Sequence, residues 1–156
     1  MARLKTIANG MPWSKLRSTL RAFICPELRS RIDFHVTSYC HSHDEAEKVW
    51  ITIDGKRALT ASWYRHQWRT NKRKDEDHLP QELGDALRAY LDLSISAAQQ
   101  STNPFIRALS IVDRRTGRRI FEAMRISEED HSLIKAFHAL RFGALKRDKQ
   151  GHESQE

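Results

Sequence analysis

An α+β fold follows from where the hydrophobic period changes. Trp13, Leu16, Leu20, Phe23 and Ile24 recur at steps of three and four, which gives one apolar stripe on a helix. Ile32, Phe34 and Val36 then alternate with Arg31, Asp33, His35 and Thr37, and Val49, Ile51 and Ile53 alternate with Trp50 and Thr52, as half-buried strands do. From Pro80 onward the period is helical again. The predicted architecture is a three-stranded antiparallel meander covered by an N-terminal helix and followed by a mostly helical C-terminal half. One compact domain is expected over residues 11–142, with 1–10 an extension and 143–156 a frayed tail.

Each element has its own local signals. Ser14 is placed to cap the first helix, and Pro26 stops it just after Cys25. Asp54-Gly55 is a strong hairpin signal between the second strand and a return strand over about 56–61. A strict two-residue turn pairs Ile53 with Lys56 and Ile51 with Ala58. A one-residue bulge brings Ile51 opposite Leu59 instead, and is the favoured register. Residues 40–48 read as a polar loop, Ser62 as the cap of a short helix through Trp63, Tyr64 and Trp68, and 71–78 as a charge-balanced linker. Pro80 suits a first helical position, and Leu83, Leu87, Tyr90, Leu91 and Ser94 follow one face. Asn103-Pro104 opens the next helix, with Phe105, Ile106, Leu109 and Val112 inward and Gly117 as terminator. Residues 118–124 read as a helical turn or an extended piece. Ser127 caps the last helix, which carries Leu133, Ile134, Phe137, Leu140 and the stem of Arg141 inward and ends at Gly143.

Composition narrows the function classes. The 156 residues include 27 Lys and Arg against 20 Asp and Glu, a formal charge of +7, which permits a polyanionic partner. Four Trp and six Phe supply enough core material to argue against wholesale disorder. No run approaches the roughly 18 apolar residues of a membrane span, so no membrane partner is expected. Two cysteines, Cys25 and Cys40, are too few for a disulfide framework, and no apolar secretory stretch opens the chain. A reducing cytoplasm with both thiols free is the expected setting. Met11 stands directly before the first helical pattern, so either Met1 or Met11 is a candidate start, with Met11 favoured.

Two stretches carry a family resemblance. Trp13-Ser14-Lys15-Leu16, Phe23-Ile24-Cys25-Pro26 and Arg31-Ile32-Asp33-Phe34 form the first. Tyr90-Leu91-Asp92-Leu93-Ser94-Ile95, followed by Asn103 through Asp113-Arg114-Arg115-Thr116-Gly117-Arg118-Arg119, forms the second, and Leu133 to Arg141 continues it. Together they resemble a family of small uncharacterised bacterial proteins with a W-S-K-L opening, an F-L-C-P turn and an A-L-x-x-[LV]-D-R-R-x-G-[KR]-R block. The resemblance covers most of residues 11–142 and implies one compact unit. Members tend to start at the residue matching Met11. The family brings no assigned activity, cofactor or partner, so no catalytic residue carries over.

The arginine block is the leading candidate site. Arg107, Arg114, Arg115, Arg118 and Arg119 crowd residues 107–119. Guanidinium groups stay charged and grip phosphate or carboxylate with two parallel bonds. Set outward near a helix end, they suit a nucleic-acid backbone or an acidic protein. The competing reading is internal. Cations offset the dipole at a helix C-terminus, Asp113 and Glu122 lie close enough to pair, and Arg115 or Arg119 can brace helices against a carboxylate. Trp63 and Trp68, interleaved with Arg65, His66 and Arg69, are weaker candidates for stacking on unpaired bases.

No enzyme signature emerges. There is no phosphate loop and no paired nucleophile and base, and no cofactor is called for. Asp33, Asp54 and Lys56 are the only set that would serve a metal-dependent nucleic-acid-processing enzyme. His35, Cys40, His41, His43 and Asp44 lack the paired spacing zinc needs, and His131 and His138 are two turns apart on one helix. The expected function is a non-catalytic intracellular interaction module contacting nucleic acid or an acidic partner. The alternatives are the metal-dependent enzyme and a structural partner protein whose arginines are internal braces.

Overall fold

The computed structural model describes residues 6–7, 11–37, 45–64 and 80–153. A two-residue pairing of β1 (Thr6–Ile7) with β2 (Met11–Pro12) leads into α1 (Trp13–Phe23). The cap position belongs to Pro12, whose backbone is extended and which offers no side-chain bond. Ser14 therefore sits inside the first turn and does not cap it. Leu16 and Leu20 are buried along the expected stripe. The helix stops as Ile24 turns extended, and Pro26–Leu28 forms one 3-10 turn.

The meander consists of β3 (Ile32–Thr37), β4 (Glu45–Ile53) and β5 (Lys56–Tyr64) in the order β3-β4-β5. Asp54 and Gly55 both take positive φ, 52° and 76°, the paired left-handed conformation of the tightest hairpin turn. Ile53 pairs with Lys56, the ladder bulges between Ile51 and Thr52, and Ile51 faces Leu59. The favoured register is thus the observed one. The strands are longer than expected. β4 begins at Glu45, within the stretch read as a loop. Lys48 pairs with Ser62, Glu47 with Trp63 and Glu45 with Tyr64, so 62–64 extend the sheet instead of starting a helix. Continued ladder bonding satisfies their backbone groups more fully than an isolated helical turn would.

One face of this sheet is the core face, with Ile32, Phe34, Val49, Ile51, Leu59 and Ala61 buried on it. Two helices share the covering. α1 packs against β3, and α2 (Pro80–Leu91) packs against β4 and β5. α2 starts at Pro80 as expected and buries Leu83, Leu87 and Tyr90.

The helical half continues with α3 (Ile95–Gln99), α4 (Pro104–Val112), α5 (Arg118–Ala123) and α6 (Ser132–Glu153). Asn103 caps α4 as its sequence predicts, accepting from the amides of Phe105 at 2.9 Å and Ile106 at 3.3 Å. Four boundary expectations are corrected. Ser94 is not on the α2 face; it caps α3 by accepting from the Ala97 amide. Gly117 does not terminate α4, which ends at Val112; it stands before α5 in extended conformation. Ser127 holds a turn by accepting from the Glu129 amide, while His131 Nδ1 accepts from Leu133 N at 3.1 Å at the true start of α6. α6 runs through Gly143 to Glu153, so that glycine ends nothing. Buried from Phe105 to Val112 except at Arg107, α4 is the central helix of this half and packs on α6 through Ile134 and Phe137 among others. Each such buried apolar side chain contributes about 1.5–3 kcal/mol relative to exposure.

Candidate functional site

The arginine block forms the corner where α4 ends. Asp113 is extended and pairs with Ile24 as an isolated antiparallel bridge. Cys25 N donates to Val112 O at 2.8 Å and Arg114 N to Phe23 O at 2.7 Å, which ties the corner to the end of α1. Extended backbone sends successive side chains to opposite sides. Asp113 turns inward and is 1% exposed, and Arg114 turns out to solvent.

The inward side is a network. The Tyr90 hydroxyl donates to Asp113 Oδ2 in a short bond. The Arg115 amide donates to Asp113 Oδ1 at 2.7 Å, and its guanidinium grips the same carboxylate through Nη2 at 2.8 Å and Nε at 3.1 Å. That guanidinium lies 4.3 Å over the Phe23 ring, and Nη1 reaches Leu93 O at 3.3 Å. Burial, then the bond to Asp113, push the Tyr90 phenol far above its ordinary range. The same carboxylate raises Arg115. Tyr90 thus stays a neutral donor and Arg115 a fixed cation.

Arg141 enters the corner from α6 and is 5% exposed as a whole residue, head included. Among the described residues no carboxylate meets it. Nη1 donates to Ile111 O at 2.7 Å and Nη2 to Thr116 O at 2.5 Å, while the guanidinium covers the Phe121 ring at 4.8 Å. Its charge is set against the unpaired carbonyls at the negative end of α4. Thr116 Oγ1 donates to Ser110 O at 2.7 Å and accepts from Gln99 Nε2 at 2.9 Å. The loop from Asp113 to Gly117 is therefore pinned by α2, α3 and α6 together. Arg141 entered the sequence reading only as an inward stem; its buried head is the larger fact.

The predicted site residues divide. Arg115 braces the corner. Arg107 Nη1 pairs with Asp130 Oδ1 at 2.9 Å and is partly buried. Arg118 Nε meets Glu122 Oε1 at 2.9 Å, one turn along α5 and in the open, where such pairs contribute little. Arg114 and Arg119 are exposed and make no ion pair or side-chain hydrogen bond among the described residues. Both acidic partners anticipated from sequence, Asp113 and Glu122, are used.

The secondary candidates fare differently. Trp63 lies in β5 opposite Glu47 instead of on a helix, and Trp68 lies outside the described residues, as do Cys40, His41, His43 and Asp44. Asp33 is gripped by Arg17 through Nε at 2.8 Å and Nη2 at 2.5 Å, which pulls its carboxyl down to about 2. Asp54 is held in the same two-pronged way by Arg31 at 2.8 and 2.7 Å. Both carboxylates of the enzyme alternative are thus already engaged, by different arginines. Among the described residues no three His, Cys, Asp or Glu side chains converge as a metal site requires. His138 stacks on Phe121 at 4.8 Å, and burial lowers its imidazole. The aromatic and basic cluster that sequence reading missed is on the sheet. Trp50 stacks against His35 at 5.2 Å with the Arg57 guanidinium 4.8 Å over its ring, and His35 Nε2 meets Thr52 Oγ1 at 2.9 Å. Cross-strand pairing of His35 with Trp50 was the available signal.

Fold and corner together define an α+β protein built around a pinned, arginine-bearing loop. The sequence profile of the SF0329 protein family matches residues 12–83 and 74–142, and the chain belongs to that family. No curated protein and no solved structure gives a match. Among the described residues no helix is long and apolar enough to cross a membrane.

Proposed function

We propose that this chain is a non-catalytic interaction module of the cytoplasm that grips a polyanion through Arg114, Arg118 and Arg119. Nucleic acid is the first reading of that polyanion and an acidic protein the second. The observation that carries the proposal is the exposure of Arg114, within a loop held rigid from inside, and of Arg119 just beyond it, both without protein partners among the described residues. A braced loop holds its guanidinium groups near their binding positions, so less ordering entropy is lost on contact. Arg118 adds a third cation whose open pair with Glu122 a phosphate can displace. Arg107 and Arg115 leave the gripping set, because each is committed to a carboxylate of the chain itself.

The test is retardation of a short oligonucleotide across a salt series. Three phosphate contacts give a log–log slope of about −2 to −3. Arg114→Ala/Arg119→Ala should flatten that slope and weaken binding without lowering the melting temperature. Absence of any shift at low salt would remove the nucleic-acid reading, and a pull-down on polyglutamate would then decide for or against an acidic protein.

A further inference from the structure

A second group of arginines lies outside the 107–119 block. Arg17, Arg21 and Arg29, with Ser14, Ser18 and Ala22, line a cleft of about 340 Å3 along α1. Positions 14, 17, 18 and 21 share one helical face by their spacing. The 3-10 turn after Pro26 swings the chain back and brings Arg29 to the end of that face. Among the described residues no acidic side chain lines the cleft. Arg17 grips the Asp33 carboxylate, so the three guanidinium groups have one acidic side chain bonded among them.

Two of these arginines are committed. Arg17 holds Asp33 with Nε and Nη2. Arg29 caps α1, donating through Nε to Arg21 O at 3.1 Å and through Nη2 to Ile24 O at 3.3 Å and Ala22 O at 3.4 Å. Arg21 is different. Its Nη2 reaches Arg29 O only at 3.4 Å, and its Nε is shielded from solvent and donates to no acceptor. Arg141 Nε is likewise shielded and unmet, so that nitrogen alone marks no ligand; what sets Arg21 apart is that its head lines the cleft and grips no carboxylate among the described residues. The Ser18 hydroxyl is one residue along the cleft wall from Arg17 and one turn from Ser14. A guanidinium edge beside hydroxyl donors, with surplus positive charge and no competing carboxylate in the lining, is the donor set that phosphoryl oxygens take.

We propose that this cleft binds a phosphoryl group, with the terminal guanidinium nitrogens of Arg21 and the Ser18 hydroxyl as donors and Arg29 supplying fixed charge. The volume is at the lower end of the range for small-ligand sites, about 300–1,000 Å3, which leaves room for a substituent on the phosphate. The group can come from a free monoester or from a nucleic-acid phosphodiester. This inference stands independently of the Arg114 and Arg119 surface. The two basic surfaces nonetheless meet at the last turn of α1, where Arg114 N donates to Phe23 O and Arg29 to the carbonyls on either side.

Calorimetric titration of the full chain tests it, with a nucleoside monophosphate and with a dinucleotide carrying one internal phosphodiester and no terminal phosphate. Either probe binding to the Arg114→Ala/Arg119→Ala protein supports the cleft, and the tighter one names the source. Arg21→Gln should weaken binding about tenfold or more, the range for losing a charge-assisted bond, and Ser18→Ala should weaken it severalfold. In the Arg114→Ala/Arg119→Ala background Ser18→Ala or Arg21→Gln should still weaken binding, which separates this cleft from the surface proposed above. Ser18 is exposed, so Ser18→Ala remains informative if Arg21→Gln melts early. Failure of both probes to bind the wild type would overturn the proposal, and so would undiminished binding by Ser18→Ala and a folded Arg21→Gln.

Discussion

Arg114 and Arg115 are neighbours in sequence and opposites in structure. One extends into solvent without a partner among the described residues; the other is locked on a buried carboxylate and stacked on Phe23. The same division runs through the whole corner. Asp113, Thr116 and Arg141 face inward and hold the loop with Arg115 clamped over Asp113 from the surface, while Arg114, Arg118 and Arg119 face outward. The difference teaches that arginine density alone says nothing about purpose. Backbone direction sorts identical side chains into brace and surface, and here one extended residue at the end of α4 does the sorting.

The comparison breaks most visibly at Arg141. Arg141→Met strands the carbonyls of Ile111 and Thr116 without their donor. It should cost about 3–5 kcal/mol, the range for removing one member of a buried charged network, read as a shifted urea midpoint. An effect below about 1 kcal/mol would mean that the inward side does not hold the loop. Tyr90→Phe is gentler, because it removes one hydroxyl from Asp113 and leaves the ring packed. About 1–2 kcal/mol is expected by the same measurement.

How far the division was legible in sequence depends on the reach of the signals. The Asp54-Gly55 hairpin, its bulge and the Asn103 cap are local, each set by residues within a few positions, and all were readable. Gly117 and Ser127 were ambiguous. Glycine serves at either end of a helix, and a serine before acidic residues can hold a turn as well as a cap, so only the neighbouring contacts decided. Ser62 and Trp63 joined β5 because their partners lie some fifteen residues upstream in β4, beyond any local period. In the site, the candidate arginines could be named but not sorted. Sorting needed Tyr90 and Arg141, which are 23 and 28 residues from Asp113. The cleft along α1 was invisible for the same reason, since Arg29 reaches it only after the chain reverses.

A pair elsewhere sharpens the scale. The Asp33 carboxyl is pulled from 3.8 to about 2 by Arg17. The unfolded chain therefore takes up the proton first as pH falls. The stabilisation is full above about pH 4 and is lost as pH drops through about 2. Because the pair is partly exposed, it amounts to about 1 kcal/mol after solvent screening. Asp33→Asn should remove that part of the acid sensitivity and little else; acid unfolding followed by circular dichroism, compared with wild type, checks it. An unchanged profile would show that partly exposed arginine pairs in this protein hold nothing.

The most direct test sets Arg114→Ala beside Arg115→Ala and reads urea unfolding and oligonucleotide binding on the same preparations. The account expects Arg114→Ala to lose affinity while changing stability by less than about 0.5 kcal/mol, as exposed positions do. It expects Arg115→Ala to lose about 2–4 kcal/mol of stability, since the buried Asp113 carboxylate forfeits its cation. Equal stability losses at the two positions, or binding that depends on neither, would contradict it.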